Sequence, residues 1–539
     1  MITELSITAK PEEEHNENLI IKKIRSEITD KKICRLTHDD KIKFIVIKKS
    51  IDARHKQIKL FLRLKVFINE DALSVSNAEQ SPLPLWQTAG GSKSVIIIGS
   101  GPAGLFAALK LLEHKIKPII IERGKDTSSR KIDIAAISTK NFVDQNSNYC
   151  FGEGGAGTFS DGKLYTRSNK RGDIGTILRI FNHFGADEKI LTDAHPHIGT
   201  DKLSGIINSM RDKIISLGGE FYFNMLCTDF IIEKNYVKGI TAKDLSTDKP
   251  HQFTADAVLL ASGHSATDIY DLIAKKCPDV LEAKTFAAGV RVEHPRELID
   301  EIQYHGENLK KDLPSAEYKL TTQVEERGVY SFCMCPGGFV VPSSSGPDEI
   351  VVNGMSAARR NSKWSNAAIV VEIRPEDIPE EFLKQASDAG CPALAGLYFR
   401  TYLEKLTKQQ GSGQAAPAQR LTDFLSHKKS ETLPPSSYTP GLVSSRLDQW
   451  LPSHIEQRLE QGFKNFDRTK KGFITDEAIL IASETRTSTP VRILRNKETF
   501  ECIALKNLYP AGEGSGYAGG IVSSAMDGEN SAEQIAHRI

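Results

Sequence analysis

The chain has 539 residues, 39% hydrophobic and 26% charged, with 70 Lys and Arg against 69 Asp and Glu, a formal net charge of +1. Such a length predicts two or three domains rather than one core, and the balanced charge excludes a whole-molecule preference for nucleic acid or a membrane. No run approaches the roughly 18 apolar residues of a membrane-spanning helix.

The eight cysteines are scattered, and only Cys333 and Cys335 lie close together, as C-x-C. No second pair completes a zinc site, and a chain this long needs no disulfide staples. The first 20 residues lack a basic segment followed by an apolar run, so no secretory signal is expected. Reduced thiols in the cytoplasm are the expectation.

Residues 1 to about 70 read as a small α/β module, with a helix over Glu17 to Ile28 and strands over Lys43 to Ile47 and Ile58 to Ile68. Between Lys22 and Lys65 there are 15 Lys or Arg and five acids. That excess suggests either a docking face for RNA or an acidic partner, or a solvated surface. No aromatic stacking set is interleaved with these charges, which favours the solvated surface. Residues 70–93 read as a linker, from Pro82, Pro84, Gly90 and Gly91. The breaker-rich run Gly411 to Pro417 reads as a loop within a larger domain.

A dinucleotide-binding unit follows. Ser94 to Ile98 is a β-branched run suited to a buried parallel strand. It leads into Gly99-Ser-Gly-Pro-Ala-Gly104, then helix material over Leu105 to Glu113, then a second strand, Lys117 to Ile121, ending at Glu122. Gly99 allows the tight turn, Gly101 admits a pyrophosphate close to the backbone, and Gly104 lets the helix pack against the strand. The helix N-terminus turns free N–H groups toward phosphate. Glu122, 23 residues after Gly99, is placed to accept the ribose hydroxyls and to repel a 2′-phosphate, which disfavours NADP here.

Three later segments favour FAD over NAD: the Gly-rich run Phe151 to Leu164, the strand Ala257 to Gly263 ending in small residues, and Leu508 to Ile521 opening a C-terminal helix. Together they resemble the FAD-binding fold of glutathione-reductase-like flavoproteins. The segments GEGGAGTFSDGKL (152–164), PHIGTDKL (196–203), ASGHSATD (261–268), GVRVEHP (289–295), CMCPGG (333–338) and GEGSGYAGGIVSSAMDG (512–528) are similar to those of a family of uncharacterised FAD-dependent, or NAD(P)/FAD-dependent, oxidoreductases, a match that includes SIDAR at 50–54 and spans residues 43–539. The acid after Gly512 is Glu513 where the fold more commonly has Asp.

The resemblance implies an α/β protein: a Rossmann-like FAD-binding domain (93–270 and 500–539, a parallel sheet with helices), an inserted α+β substrate domain (271–499) and the N-terminal α/β module with its linker (1–88). It implies FAD contacts at Gly99, Gly101, Pro102, Ala103, Gly104, Glu122, Arg123, Arg130, Gly154, Gly155, Gly157, Thr158, Cys227, Ser262, Gly263, Gly512, Glu513, Gly519, Gly520 and Ile521. Arg167, His195, His197 and Cys335 are the catalytic candidates, with Arg291, His294 and Arg486 as further pocket candidates. Arginines there would clamp an anionic group and a histidine would move a proton.

Several motifs are decoys. Gly157 to Lys163 fits G-x-x-x-x-G-K, but Leu164 replaces the Ser or Thr that would hold magnesium. Asp467 to Ala478 lacks two calcium ligands, at Lys471 and Ala478, and reads as a turn. His195-Pro-His197 has no third metal ligand at a fixed spacing, and His264 is equally suited to the flavin's surroundings or to a loop. For Cys333 and Cys335, structural or substrate-facing thiols are expected over a redox pair, because a C-x-C ring is strained.

The expected function is hydride transfer between a small organic substrate and FAD. A single G-x-G-x-x-G leaves no visible second nucleotide domain, so either a nicotinamide dinucleotide binds transiently as donor or the substrate itself reduces the flavin. The alternatives are an RNA-modifying flavoprotein anchored by the basic module and a non-catalytic flavin-binding interaction protein.

Overall fold

The computed structural model describes residues 1–70, 82–166, 172–306 and 313–539. The N-terminal module is an antiparallel sheet in the order Ile2–Ala9, Lys59–Ile68, Ile42–Asp52. Its central strand alternates, sending Leu60, Leu62, Leu64 and Val66 inward. Against them packs the helix Glu17–Asp30, whose Ile20, Ile24 and Ile28 share one face at four-residue spacing. Asn16 caps that helix by accepting the Leu19 amide at 3.2 Å. The strand Ile2–Ala9 was not foreseen, because threonine and serine interrupt its apolar residues.

The module is joined to the rest of the molecule. The Lys49 amide donates to Thr192 O at 2.8 Å, and Ile58 is buried in the core of the large domain. Acids outside the basic window face its charges: Glu4 meets Arg63, Glu13 meets Lys23 and Glu14 meets Lys49. The linker expectation also changes. Residues 71–81 lie outside the described residues. After them the chain is laid down on the next domain: the Gln87 amide donates to Leu112 O at 3.0 Å, the Ala89 amide to Leu217 O at 2.8 Å, and the Trp86 ring stacks on Phe184.

The dinucleotide unit forms a five-stranded parallel sheet in the order Leu508–Pro510, Ala257–Leu260, Ser94–Ile98, Lys117–Ile121, Glu220–Tyr222. Continuous apolar runs suit it, because both faces are covered. Val95 and Ile97 face the helices Pro102–Glu113, Thr200–Ser216 and Ile521–Arg538. Ile96 and Ile98 face a three-stranded meander (Met225–Glu233, Tyr236–Asp244, Pro250–Thr254) and the helix Thr267–Lys276. The first and last of the three helices touch backbone to backbone, since a Cβ on Gly528 would lie 2.0 Å from Ala103 O.

The larger domain carries a seven-stranded sheet in the order Thr321–Val324, Arg327–Cys335, Trp364–Ile373, Phe286–Pro295, Ile479–Glu484, Ala416–Arg420, Leu442–Ser444, antiparallel except for the last pair. The helices Ala395–Gln410 and Ser453–Thr469 bury Phe399, Leu403, Leu459 and Phe463 against it. Gly411 to Ala415 is the expected loop, leading into the strand Ala416–Arg420. Asp467 ends a helix as a turn, accepting the Gly472 and Ile474 amides. The chain enters and leaves this domain side by side, through Leu281–Ala283 paired with Val491–Ile493.

Candidate functional site

A cleft opens at the carboxyl ends of the parallel strands, where such sheets place their ligands. It holds a cavity of about 360 Å³, within the range of ligand sites. Its wall runs from Met225, Leu226 and Cys227, past Gly99, Gly101 and Ser262, to Phe332, Cys333 and Asn353 of the larger domain.

Two helix N-termini meet in this wall. The helix Pro102–Glu113 begins at Gly101 and the helix Ile521–Arg538 at Gly520, and neither has a side-chain cap. Their first N–H groups are left for an anion. Gly99 takes φ +101, and a Cβ there would come 2.4 Å from Ala261 O. Gly263, Gly519 and Gly520 instead have no atom within 4 Å of where a Cβ would stand, so side chains there would fill the cleft. His264 lines the same wall with its Nδ1 buried and unpartnered among the described residues. Burial, and then the charges of Arg400 and Arg486, push its pKa down to about 3, so the ring is neutral. A cradle of bare glycines under two uncapped helices fits a dinucleotide pyrophosphate.

Most of the expected contacts line the cleft: Gly99, Gly101, Pro102, Ala103, Glu122, Arg123, Gly155, Gly157, Cys227, Ser262, Gly263, Gly512, Glu513, Gly519, Gly520 and Ile521. Four do not. Gly104 acts in packing, because a Cβ on it would lie 2.0 Å from Gly99 O. Gly154 is backed by Thr158 and Ile207, and Thr158 is buried with its hydroxyl donating to Glu153 O at 2.8 Å. Arg130 is fully buried, and its three nitrogens donate to the carbonyls of Asn148, Tyr149, Gly152 and Glu153. It braces the Gly-rich loop from behind.

Glu122 departs from the role foreseen for it, because its acceptor sites are met by the protein and not left for ribose hydroxyls. One oxygen accepts from the Ser100 amide and hydroxyl, the other from the Gly124 and Gly152 amides, all within 3.0 Å. A carboxylate has about four lone-pair sites, so Glu122 ties the glycine turn, its own strand end and the second Gly-rich loop together. Arg123 lies over the Phe151 ring and pairs with Asp268 at 3.0 Å. Burial pushes the Cys227 thiol up to about 12, leaving a small neutral group on an apolar wall. Burial likewise lifts the Glu513 carboxyl to about 7.

The catalytic candidates separate. Arg167 lies outside the described residues. His294 is fully buried against Phe473, with Nε2 2.9 Å from the Phe473 carbonyl, and does not reach the cleft. Arg291 is also fully buried, pairing with Glu484 at 2.6 Å and donating to Cys333 O at 2.6 Å. Arg486 reaches the cleft, but Glu349 and Glu404 hold its guanidinium. Cys335 is buried, and of the C-x-C pair it is Cys333 that lines the cleft.

His195 sits at the exposed outer end of a charge chain. Its Nδ1 is 3.1 Å from Glu317; Glu317 meets Arg360 at 2.5 Å; Arg360 grips Asp161; and Asp161 meets Lys163 at 3.2 Å. His197 lies beside this chain, its Nε2 3.2 Å from Ala358 O, and burial and Arg360 lower its pKa. Burial opposes ionisation of Asp161, but Lys163 and Arg360 outweigh it and hold the carboxyl well below the usual range. Lys163 Nζ ends the chain 3.9 Å from Cys333 Sγ and 3.7 Å from Cys335 Sγ. Lys163, Asp161 and Asn353 were missed as site residues, and Cys333 was expected only as a structural or substrate-facing thiol. The signal was a lysine inside the Gly-rich run, dismissed along with the failed phosphate-loop pattern.

Fold and cleft together define a dinucleotide-binding flavoprotein. Residues 94–147 match an FAD-binding domain, residues 285–487 match the description "FAD-dependent protein, C-terminal domain-like", and residues 1–67 match a domain of unknown function. An uncharacterised protein of Clostridium beijerinckii is 37% identical over 532 residues, 95% of this chain and 96% of that one. The chain belongs to the same family of FAD-binding proteins, and its cofactor is FAD. Among solved structures, CtdE in complex with FAD is 11% identical over 83% of this chain and 89% of that one, with a TM-score of 0.34. The flavin-dependent brominase Bmp2 is 14% identical over 82% and 80%, also with a TM-score of 0.34. No helix among the described residues is long and apolar enough to cross a membrane.

Proposed function

We propose that the chain is an FAD-dependent dehydrogenase that exchanges a hydride with a small organic substrate. The observation carrying this reading is a second cavity, of about 560 Å³, that abuts the far end of the cleft and shares Tyr165, Phe332, Gly519 and Gly520 with it. Its wall adds Lys319, Thr321, Tyr330 and Ser331. Aromatic rings with a few convergent polar groups suit a small, partly polar substrate, and Lys319 suits an anionic group on it. Bound FAD supplies the two-electron chemistry. The chain's part is to seat the substrate between Tyr165 and Phe332 and to hold charge at Lys163.

His195 and His197 act at a distance in this reading, setting the charge of the chain that ends at Lys163. Electrons come from the substrate itself or from a transiently bound nicotinamide, and eight free cysteines suit a reducing cytoplasm. The test is an anaerobic screen of the purified yellow protein against small organic acids, alcohols, amines, NADH and NADPH. Bleaching of the flavin by one of the organic compounds supports dehydrogenation. Bleaching by none of them, with flavin retained, overturns it.

A further inference from the structure

Cys333 stands where its strand is broken. The register of Arg327–Cys335 against Trp364–Ile373 shifts between Phe332 and Cys335, and Cys333 takes φ +44, a left-handed conformation unusual outside glycine. Bulges re-aim side chains, often beside active sites, and this one turns Cys333 into the cleft wall next to Phe332. Residues i and i+2 of a strand share a face at about 6.6 Å spacing, already near the Cα separation a disulfide accepts.

The surroundings favour a thiolate. Lys163 Nζ is within 4 Å of both sulfurs, and Arg291 Nη2 is 3.7 Å from Cys335 Sγ. The S–H of Cys335, opposed by burial and helped by Lys163, pulls the Cys333 thiol well below its usual range, while Cys335 is held above it. A low-pKa, accessible thiol with a protonated neighbour is the arrangement of reactive cysteine pairs.

We propose that Cys333 and Cys335 are a redox-active dithiol/disulfide pair that exchanges two electrons with the flavin, with Cys333 facing it and Cys335 closing the bond. This rests on the FAD seat and not on the identity of the substrate. On oxidation the Cys333 thiolate and the Cys335 thiol form an S–S bond. Two electrons and the Cys335 proton pass to oxidised flavin. The reverse step takes two electrons and a proton from reduced flavin and restores thiolate and thiol. The pair is then a second two-electron store in the same protein.

The experiment is an anaerobic dithionite titration of the air-oxidised holoprotein, with parallel samples alkylated by N-ethylmaleimide and analysed as peptides by mass spectrometry. Four electrons per flavin are expected for the wild type and two for Cys335→Ser, with the oxidised wild type yielding a Cys333–Cys335 disulfide peptide. Two electrons in the wild type, or alkylation of both cysteines in the oxidised protein, overturns the proposal. The peptide readout on wild-type protein stands even if Cys335→Ser folds poorly. A colourless protein would strike at the FAD seat instead, so the two failures are distinguishable.

Discussion

Lys163 is the residue on which most of the local electrostatics turns. Among the described residues it touches both cysteines and the buried Asp161 at once. Replacing it by the uncharged methionine removes the nearest cation from the Cys333 thiolate. Lys163→Met is therefore expected to move the pH midpoint of iodoacetamide modification of Cys333 upward by about one unit of thiol pKa, followed by peptide mass spectrometry across pH. Glu513 gives a pH test of opposite sign to an ordinary carboxylate. Its pKa is raised to about 7 by burial, so between pH 4.5 and 7 the folded protein keeps a proton the unfolded chain has lost. Stability must then fall as pH rises through that window and stay lowered above it, by up to about 3 kcal/mol. Urea unfolding of flavin-free protein at pH 5 and pH 8 should show this fall in the wild type, and a smaller one in Glu513→Gln. An equal fall in both would refute the assignment.

At the scale of elements, the glycines divide into those that pack and those that make room. Gly104 lets the first helix close on its strand, and an added methyl would meet Gly99 O at 2.0 Å. Gly519 has empty cleft where a methyl would go and needs no left-handed backbone. Gly104→Ala is thus expected to lower the melting temperature sharply and lose FAD as a consequence. Gly519→Ala should keep stability within about 0.5 kcal/mol of wild type while FAD affinity falls by about tenfold, read by flavin fluorescence. The strand, turn, helix and acid were legible because each has a local signature within 30 residues. Glu122 stands at the expected strand end, but its four amide and hydroxyl donors come from Ser100, Gly124 and Gly152, and no spacing rule announces the last.

Across the whole molecule, the chain of charges from His195 to Lys163 joins the second Gly-rich loop to the larger domain. Its pivot is Asp161, 1% exposed and gripped by Arg360 from the far side of the cleft. Removing that carboxylate leaves buried cations uncompensated, which costs about 3 kcal/mol or more. Asp161→Asn should lower the unfolding free energy measured in urea by that amount, and a change under 1 kcal/mol would show the chain to be ornamental. The basic N-terminal module belongs to the same scale. Its window of charge looked unpaired only because the acids that answer it, Glu4, Glu13 and Glu14, precede the window.

By itself the sequence determined the nucleotide fold, the cofactor class and most of the pyrophosphate cradle, because glycine turns, β-branched strands and helix starts act over a few residues. Only the tertiary structure decided which polar side chains share a site. Cys333 reaches the cleft through a bulge whose partner strand lies over 30 residues away, and Lys163 finds Cys333 and Cys335 only once two domains close on each other. His294, a further pocket candidate in the sequence, is instead sealed against Phe473. Long-range burial sets where a charge or a thiol ends up, and no local pattern encodes it.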